Sequence, residues 1–104
     1  MARAKQTLGI IVNSDRYFDF VTSLAEAATG CGKVVHMHLL DTGCRFALTD
    51  ACRRLSRRIR ITVCAQSAEK MSPETGGGDL HGLQLAPPQE LTRLLKQCDR
   101  HVVF

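Results

Sequence analysis

The sequence predicts an α/β protein with a mostly parallel sheet of about five strands and helices on both faces. Apolar runs of strand length alternate with amphipathic segments of helix length, in the order β-α-β-α-β-(α)-β-α-β. Alternation of this kind is typical of a parallel sheet covered by helices. The first run, residues 8–12, is continuously apolar, which indicates a strand buried on both faces.

The first half of the chain supplies two strands and a helix. After the strand at 8–12, residues 13–15 supply a turn and a candidate N-cap. The apolar side chains that follow have the spacing of one helix face, and Gly30 and Gly32 end that helix. They are Tyr17, Phe20, Val21, Leu24, Ala25 and Ala28. A second strand at 33–40 leads into the turn Asp41-Thr42-Gly43.

The second half continues the alternation. We predict a helix over 45–57, a strand over 59–63 and a short helix over 65–70. Residues 72–82 form a flexible, glycine-rich loop, followed by a short strand at 83–85. Pro87 and Pro88 open a last helix, and residues 101–104 form the last strand. The apolar stripes of the two longer helices are Leu48, Ala51, Cys52 and Leu55, and then Leu91, Leu94, Leu95 and Cys98.

Length and composition indicate one globular domain over residues 1–104. The chain is 44% hydrophobic and 23% charged, with a net charge of +4. No stretch approaches the ~20 apolar residues of a membrane span, and the first apolar run is too short for a secretory signal. We therefore expect a cytoplasmic protein with no membrane partner.

Nucleic acid is not an expected direct partner. The chain has no Trp and one Tyr, which disfavours reading single strands by stacking on aromatic rings. Four arginines form a basic face on the second predicted helix, at positions 53, 54, 57 and 58. A solvated helix surface is the favoured interpretation, and docking to an acidic protein or to RNA is the alternative.

Five cysteines are the unusual feature of the composition, at positions 31, 44, 52, 64 and 98. Their odd number and the missing secretory signal favour free thiols. In a parallel α/β sheet, ligands bind beyond the carboxyl ends of the strands. Cys64 and Cys44 follow strands and belong to that edge, whereas Cys31 and Cys98 precede strands and Cys52 faces inward.

Cys64 is the candidate catalytic residue. It comes directly before the predicted short helix, whose free backbone N–H groups favour a thiolate. Such a thiolate can attack sulfur and carry a persulfide. The alternative is that Cys64 is a small buried hydrophobic residue, as cysteines at strand ends often are. Cys44 is the second candidate thiol at the same edge.

The sequence predicts no metal or organic cofactor. It contains no Cys-x2-Cys pair and no phosphate-binding loop of the Gly-x4-Gly-Lys type. His36 and His38 share one face of the second strand. We expect that face to meet water or another subunit in preference to holding a metal.

Four segments together resemble the DsrE/DsrF family, which includes the TusD sulfur-relay subunits. They are Gly9-Ile-Ile-Val-Asn-Ser14, His38-Leu-Leu-Asp-Thr-Gly43, Val63-Cys-Ala-Gln-Ser-Ala68 and Cys98-Asp-Arg-His-Val-Val-Phe104. The resemblance implies a three-layer α/β/α domain that assembles into trimers or hexamers. It also implies that Cys64 carries sulfur as a persulfide. The long glycine-rich loop departs from the family pattern, as does Cys44, which stands where an apolar residue is usual.

Three functions are therefore open. The favoured one is an intracellular sulfur relay, in which Cys64 accepts sulfane sulfur and passes it on, with Cys44 resolving or relaying. Its partners would be sulfur donor and acceptor proteins, within a homo-oligomer or a hetero-oligomer with related subunits. The alternatives are a non-catalytic assembly subunit of the same fold, and a binder of small molecules or nucleotides at the carboxyl edge of the sheet.

Overall fold

A computed structural model of the protein describes residues 5–71 and 83–104. Five parallel strands form one sheet in the order β4-β3-β2-β1-β5. The strands are β1 (Thr7–Val12), β2 (Val34–Leu39), β3 (Arg60–Cys64), β4 (Gln84–Ala86) and β5 (Arg100–Val103). The helices are α1 (Phe18–Gly30), α2 (Asp50–Leu55), α3 (Ala65–Lys70) and α4 (Gln89–Gln97), with a 3₁₀ helix at Asp41–Leu48.

The strand order explains why the helices form two layers. From β1 to β4 the chain steps in one direction, and right-handed crossovers place α1, α2 and α3 on the same face of the sheet. The chain then returns to pair β5 with β1, which places α4 on the opposite face. Contact between Gly9 of β1 and Leu94 of α4 confirms this: a Cβ added at Gly9 would lie 2.6 Å from Leu94 Cδ2.

The face under α1 and α2 holds the hydrophobic core. Alternate residues of the central strands point into it, and Val21, Ala25 and Ala28 of α1 close over them. The strand residues are Ile10, Val12, Val35, Met37, Leu39, Ile61 and Val63. Phe46 of the 3₁₀ helix is fully buried, with its ring centroid 5.1 Å from that of Phe18. These contacts make the first layer apolar and buried.

The predicted fold class is confirmed as a three-layer α/β/α arrangement around a parallel, five-stranded sheet. Both ends of every strand lie within one residue of the prediction. The short helix begins and ends where predicted, and α1 ends at Gly30 with Gly32 at φ +79°. The predicted loop over 72–82 lies outside the described residues.

The prediction for the second helix was wrong at its start. In place of one helix over 45–57, the chain forms the 3₁₀ helix, breaks at Thr49 and restarts as α2. Thr49 is extended, and its hydroxyl accepts a hydrogen bond from Cys52 N at 3.1 Å. It is thus an N-cap inside the predicted helix. As a result, Phe46 is buried, while Leu48 of the predicted stripe is exposed.

Two further helix details differ from the predictions. The N-cap of α1 is Tyr17 and does not fall within residues 13–15, so the helix begins later. Tyr17 and Phe20 are exposed, Phe20 to 67%, because the buried stripe runs along Val21, Ala25 and Ala28. None of the helices among residues 5–71 and 83–104 is long and apolar enough to span a bilayer.

Candidate functional site at the carboxyl edge

Cys64 occupies the predicted position at the carboxyl edge of the sheet. It is the last residue of β3, and α3 begins at the next residue, Ala65. Its backbone is extended, at φ −61° and ψ 119°, so the chain turns sharply from strand to helix at this point. The residue is 9% exposed, at the boundary between interior and surface.

Cys44 lies beside Cys64 at the same edge. It belongs to the 3₁₀ helix that follows β2, and its side chain is fully buried. Burial is the main cause that raises the pKa of the Cys44 thiol to about 12, followed by the proximity of Cys64 and then of Asp41. The structure therefore brings the two predicted thiols together, and it keeps the Cys44 thiol protonated near neutral pH.

The 3₁₀ helix is held against its neighbours by three close contacts. Leu40 N donates to Val12 O at 3.0 Å, and Asp41 N donates to Ser67 Oγ at 3.0 Å. Gly43 lies directly against the Val12 carbonyl oxygen, so a Cβ at this position would overlap that atom. Asp41 adopts a left-handed conformation at φ 51°, which the tight turn requires. The position of Cys44 is thus set from both sides.

The other three cysteines lie where the sequence predicts. Cys31 and Cys98 flank strands at the amino edge, where Cys31 is exposed and Cys98 is partly buried. Cys52 is buried on the inward side of α2, and burial raises the pKa of its thiol to about 11. The carboxyl edge is therefore the place where two thiols meet in this fold.

The prediction that the face of His36 and His38 meets water or another subunit was wrong. Their face of β2 meets neither bulk water nor a second chain, because α4 of the same chain covers it and both side chains are buried. Thr62 Oγ1 of β3 lies 3.2 Å from His36 Nε2 and 2.7 Å from His38 Nδ1. A hydroxyl has one proton, so if it bonds both rings, at least one of these nitrogens must donate.

Glu90 is the residue of this cluster that sequence reasoning missed. It lies in the first turn of α4, is buried against the sheet, and has carboxylate oxygens 3.4 Å from Arg60, 3.8 Å from His36 Nε2 and 3.7 Å from Arg93. The predicted stripe of α4 placed Leu91 and Leu95 inward instead. The available signal was the spacing of four between Glu90 and Leu94, which puts both on one helix face.

Burial lowers the pKa of both histidines, because it disfavours their charged form. For His36, Arg60 and His38 lower the pKa further and Glu90 opposes them; for His38, Glu90 alone opposes burial. Both imidazoles are therefore neutral near pH 7. Within residues 5–71 and 83–104, no three His, Cys, Asp or Glu side chains converge as a metal-ligand group.

The sequence and the structure were compared with those of known proteins. No family model matches the sequence, and no curated protein matches it. The sheet and helices form a parallel, three-layer α/β/α arrangement. Among solved structures, it is similar to that of the ychN protein from E. coli, with a TM-score of 0.61 over 97% of this chain and 100% of that chain. The sequence identity is 9%, so this likeness shows the fold alone.

Proposed function

We propose that the protein is a DsrE-like sulfur carrier that accepts sulfane sulfur on Cys64 and passes it on as a persulfide. The observation that supports this most is the location of Cys64 at the end of β3, on the ligand-binding edge, with a second thiol beside it. Five unpaired cysteines are typical of a protein in a reducing compartment, which supports a site of action in the cytoplasm.

The proposed reaction transfers one sulfur atom without net oxidation. The Cys64 thiolate attacks the terminal sulfur of a donor persulfide, R–S–SH. The new bond joins Cys64 Sγ to that sulfur, the old S–S bond breaks, and R–S⁻ leaves with the electron pair. An acceptor thiolate then attacks the terminal sulfur on Cys64, which restores the Cys64 thiolate. Each step exchanges one S–S bond for another.

The protonated state of Cys44 supports the assignment of Cys64 as the sulfur acceptor. With a pKa of about 12, its thiolate fraction at pH 7 is on the order of 10⁻⁵. Since the thiolate is the nucleophile, Cys44 is a poor first acceptor of incoming sulfur. Cys44 can act afterwards, when a persulfide is already bonded to its neighbour.

The test is sulfur loading of the reduced protein with polysulfide, followed by intact-protein mass spectrometry and peptide mapping. We expect an adduct of about 32 Da per sulfur atom on Cys64, lost in Cys64→Ser. Cys31→Ser is the matched control, because Cys31 is the exposed thiol and should load first if accessibility alone decides. Labelling that follows exposure, with Cys31 ahead of Cys64, would sink the proposal.

A homo-oligomer is the second part of the proposal. Several large apolar side chains of the described residues are exposed on the single chain, including Tyr17, Phe20, Leu95 and Val103. The ring centroids of Tyr17 and Phe20 are 6.4 Å apart, and Leu95 and Val103 line one open groove. Contiguous exposed apolar patches mark protein–protein interaction sites. Sedimentation velocity should show a trimer or hexamer at micromolar concentration. A monomer that loads sulfur would overturn the proposed homo-oligomer but would still be consistent with the proposed carrier function.

A further inference from the structure

A pocket of about 220 Å³ opens at the amino edge of the sheet, at the opposite end of the strands from Cys64. Its walls are Leu8 of β1 and Leu24, Ala27 and Ala28 of α1. The strand order explains why it exists. The crossover from β1 to β2 carries α1 towards β2, and this leaves the flank between β1 and the edge strand β5 without a helix above it.

Two cations stand at the rim of this apolar pocket. Arg100, the first residue of β5, is the register partner of Leu8, and Lys33 follows the end of α1. Lys33 Nζ donates to Gln6 Oε1 at 2.9 Å, which holds the ammonium group beside the pocket. Among the described residues, neither cation forms an ion pair, and no Asp or Glu lines the pocket.

We propose that this pocket binds an aliphatic carboxylate of short to medium chain length. The alkyl chain lies between α1 and β1 against Leu8 and Leu24, and the carboxylate meets Arg100 and Lys33 at the rim. An apolar interior with two cations at its mouth is complementary to an amphiphilic anion. The volume is below the ~300–1,000 Å³ of pockets for drug-sized ligands, which favours a single chain.

The first experiment is a chain-length series from acetate to decanoate, titrated against the full protein and followed by amide chemical shifts. We expect affinity to rise about fourfold for each methylene until the pocket is full, and then to level off. 1-Octanol should bind roughly tenfold more weakly than octanoate, because it lacks the charge. Equal affinity for acetate and octanoate, or for octanoate and octanol, would overturn the proposal.

Two substitutions and the alkylation rate of Cys31 test whether the ligand binds in this pocket. Arg100→Gln should weaken octanoate roughly tenfold and leave octanol unchanged, whereas Arg54→Gln, a matched exposed arginine on α2, should change neither. Ala27→Leu should fill the pocket and weaken both ligands. Bound octanoate should also slow alkylation of Cys31, whose residue lines the pocket. Unchanged alkylation at saturating octanoate would place the ligand elsewhere.

Discussion

The two faces of the sheet differ in the polarity of the side chains that they bury. The face under α1 and α2 is closed by apolar side chains alone, with Phe46, Met37 and Ile10 fully buried. The face under α4 instead buries two imidazoles, a hydroxyl and a carboxylate in polar, directional contacts, beside the apolar contact of Leu94 with Gly9. An apolar layer can be filled in many ways, but a polar one is stable only when each group has its partner. The difference predicts how each face responds to substitution and to pH.

The largest effect should come from the apolar face. Phe46→Ala removes a fully buried ring and its edge contact with Phe18, so we expect a loss of about 3–5 kcal/mol in the free energy of unfolding. Leu95→Ala on α4 is the control, because that side chain is 40% exposed, and it should cost less than ~1 kcal/mol. Urea denaturation measures both. Equal losses would contradict the expectation that burial of the Phe46 ring sets the cost of its removal.

Thr62→Val tests the polar face with almost no change of shape. The substitution leaves His36 and His38 without the hydroxyl that lies between them, so buried nitrogens lose their partner. We expect a loss of about 1–3 kcal/mol, although the new residue is more hydrophobic. Thr62→Ser, which keeps the hydroxyl, is the matched control. A Val variant as stable as the parent would mean that this cluster is already hydrated.

Acid should act through the same histidines. Their pKa values are lowered in the folded state, so between those values and ~6.5 the unfolded chain binds more protons than the folded one. Stability is therefore present above pH 6.5 and falls as pH drops below it. The slope is at most about 1.4 kcal/mol per pH unit for each histidine. Unfolding curves from pH 8 to 4 should show this, and His38→Gln should flatten them.

The smallest effect concerns Glu90 and His36. Because the Glu90 carboxylate raises the pKa of His36 against the effect of burial, Glu90→Gln should lower that pKa further. Titration of the His36 ring by NMR measures the change, with Lys96→Gln, an exposed cation of α4, as the control. A His36 pKa that stays the same or rises in Glu90→Gln would contradict this electrostatic effect of the Glu90 carboxylate.

The strands and their order along the chain were predictable because each apolar run is a local signal. The same holds for Cys64, whose place follows from the end of one run and the start of a short helix. The burial of Glu90 was not predictable, since its partners Arg60 and His36 belong to strands 30 and 54 positions earlier in the chain. The break at Thr49 was a local signal that the longer helical pattern obscured.

The exposure of individual helix residues was the other property that the sequence did not predict. The spacing of Tyr17 and Phe20 fits the helix stripe, yet both are exposed because the direction of the crossover turns that flank of α1 towards the sheet edge. Helical periodicity identifies a face but not the layer that covers it. For the same reason, the pocket beside Leu24 could not be read from the pattern of the helix.

The pairing of the first strand with the last has a consequence for synthesis. β1 lies inside the finished sheet, but its outer neighbour β5 arrives last, and the hydrogen bond from Thr7 N to Asp99 Oδ2 joins residues 92 positions apart. At ~5–20 residues per second, a ribosome needs roughly 5–18 seconds to make that length of chain. Throughout that interval the apolar edge of β1 has unpaired backbone groups, the kind of edge on which aggregation begins. The nascent chain is thus most vulnerable before its last strand emerges.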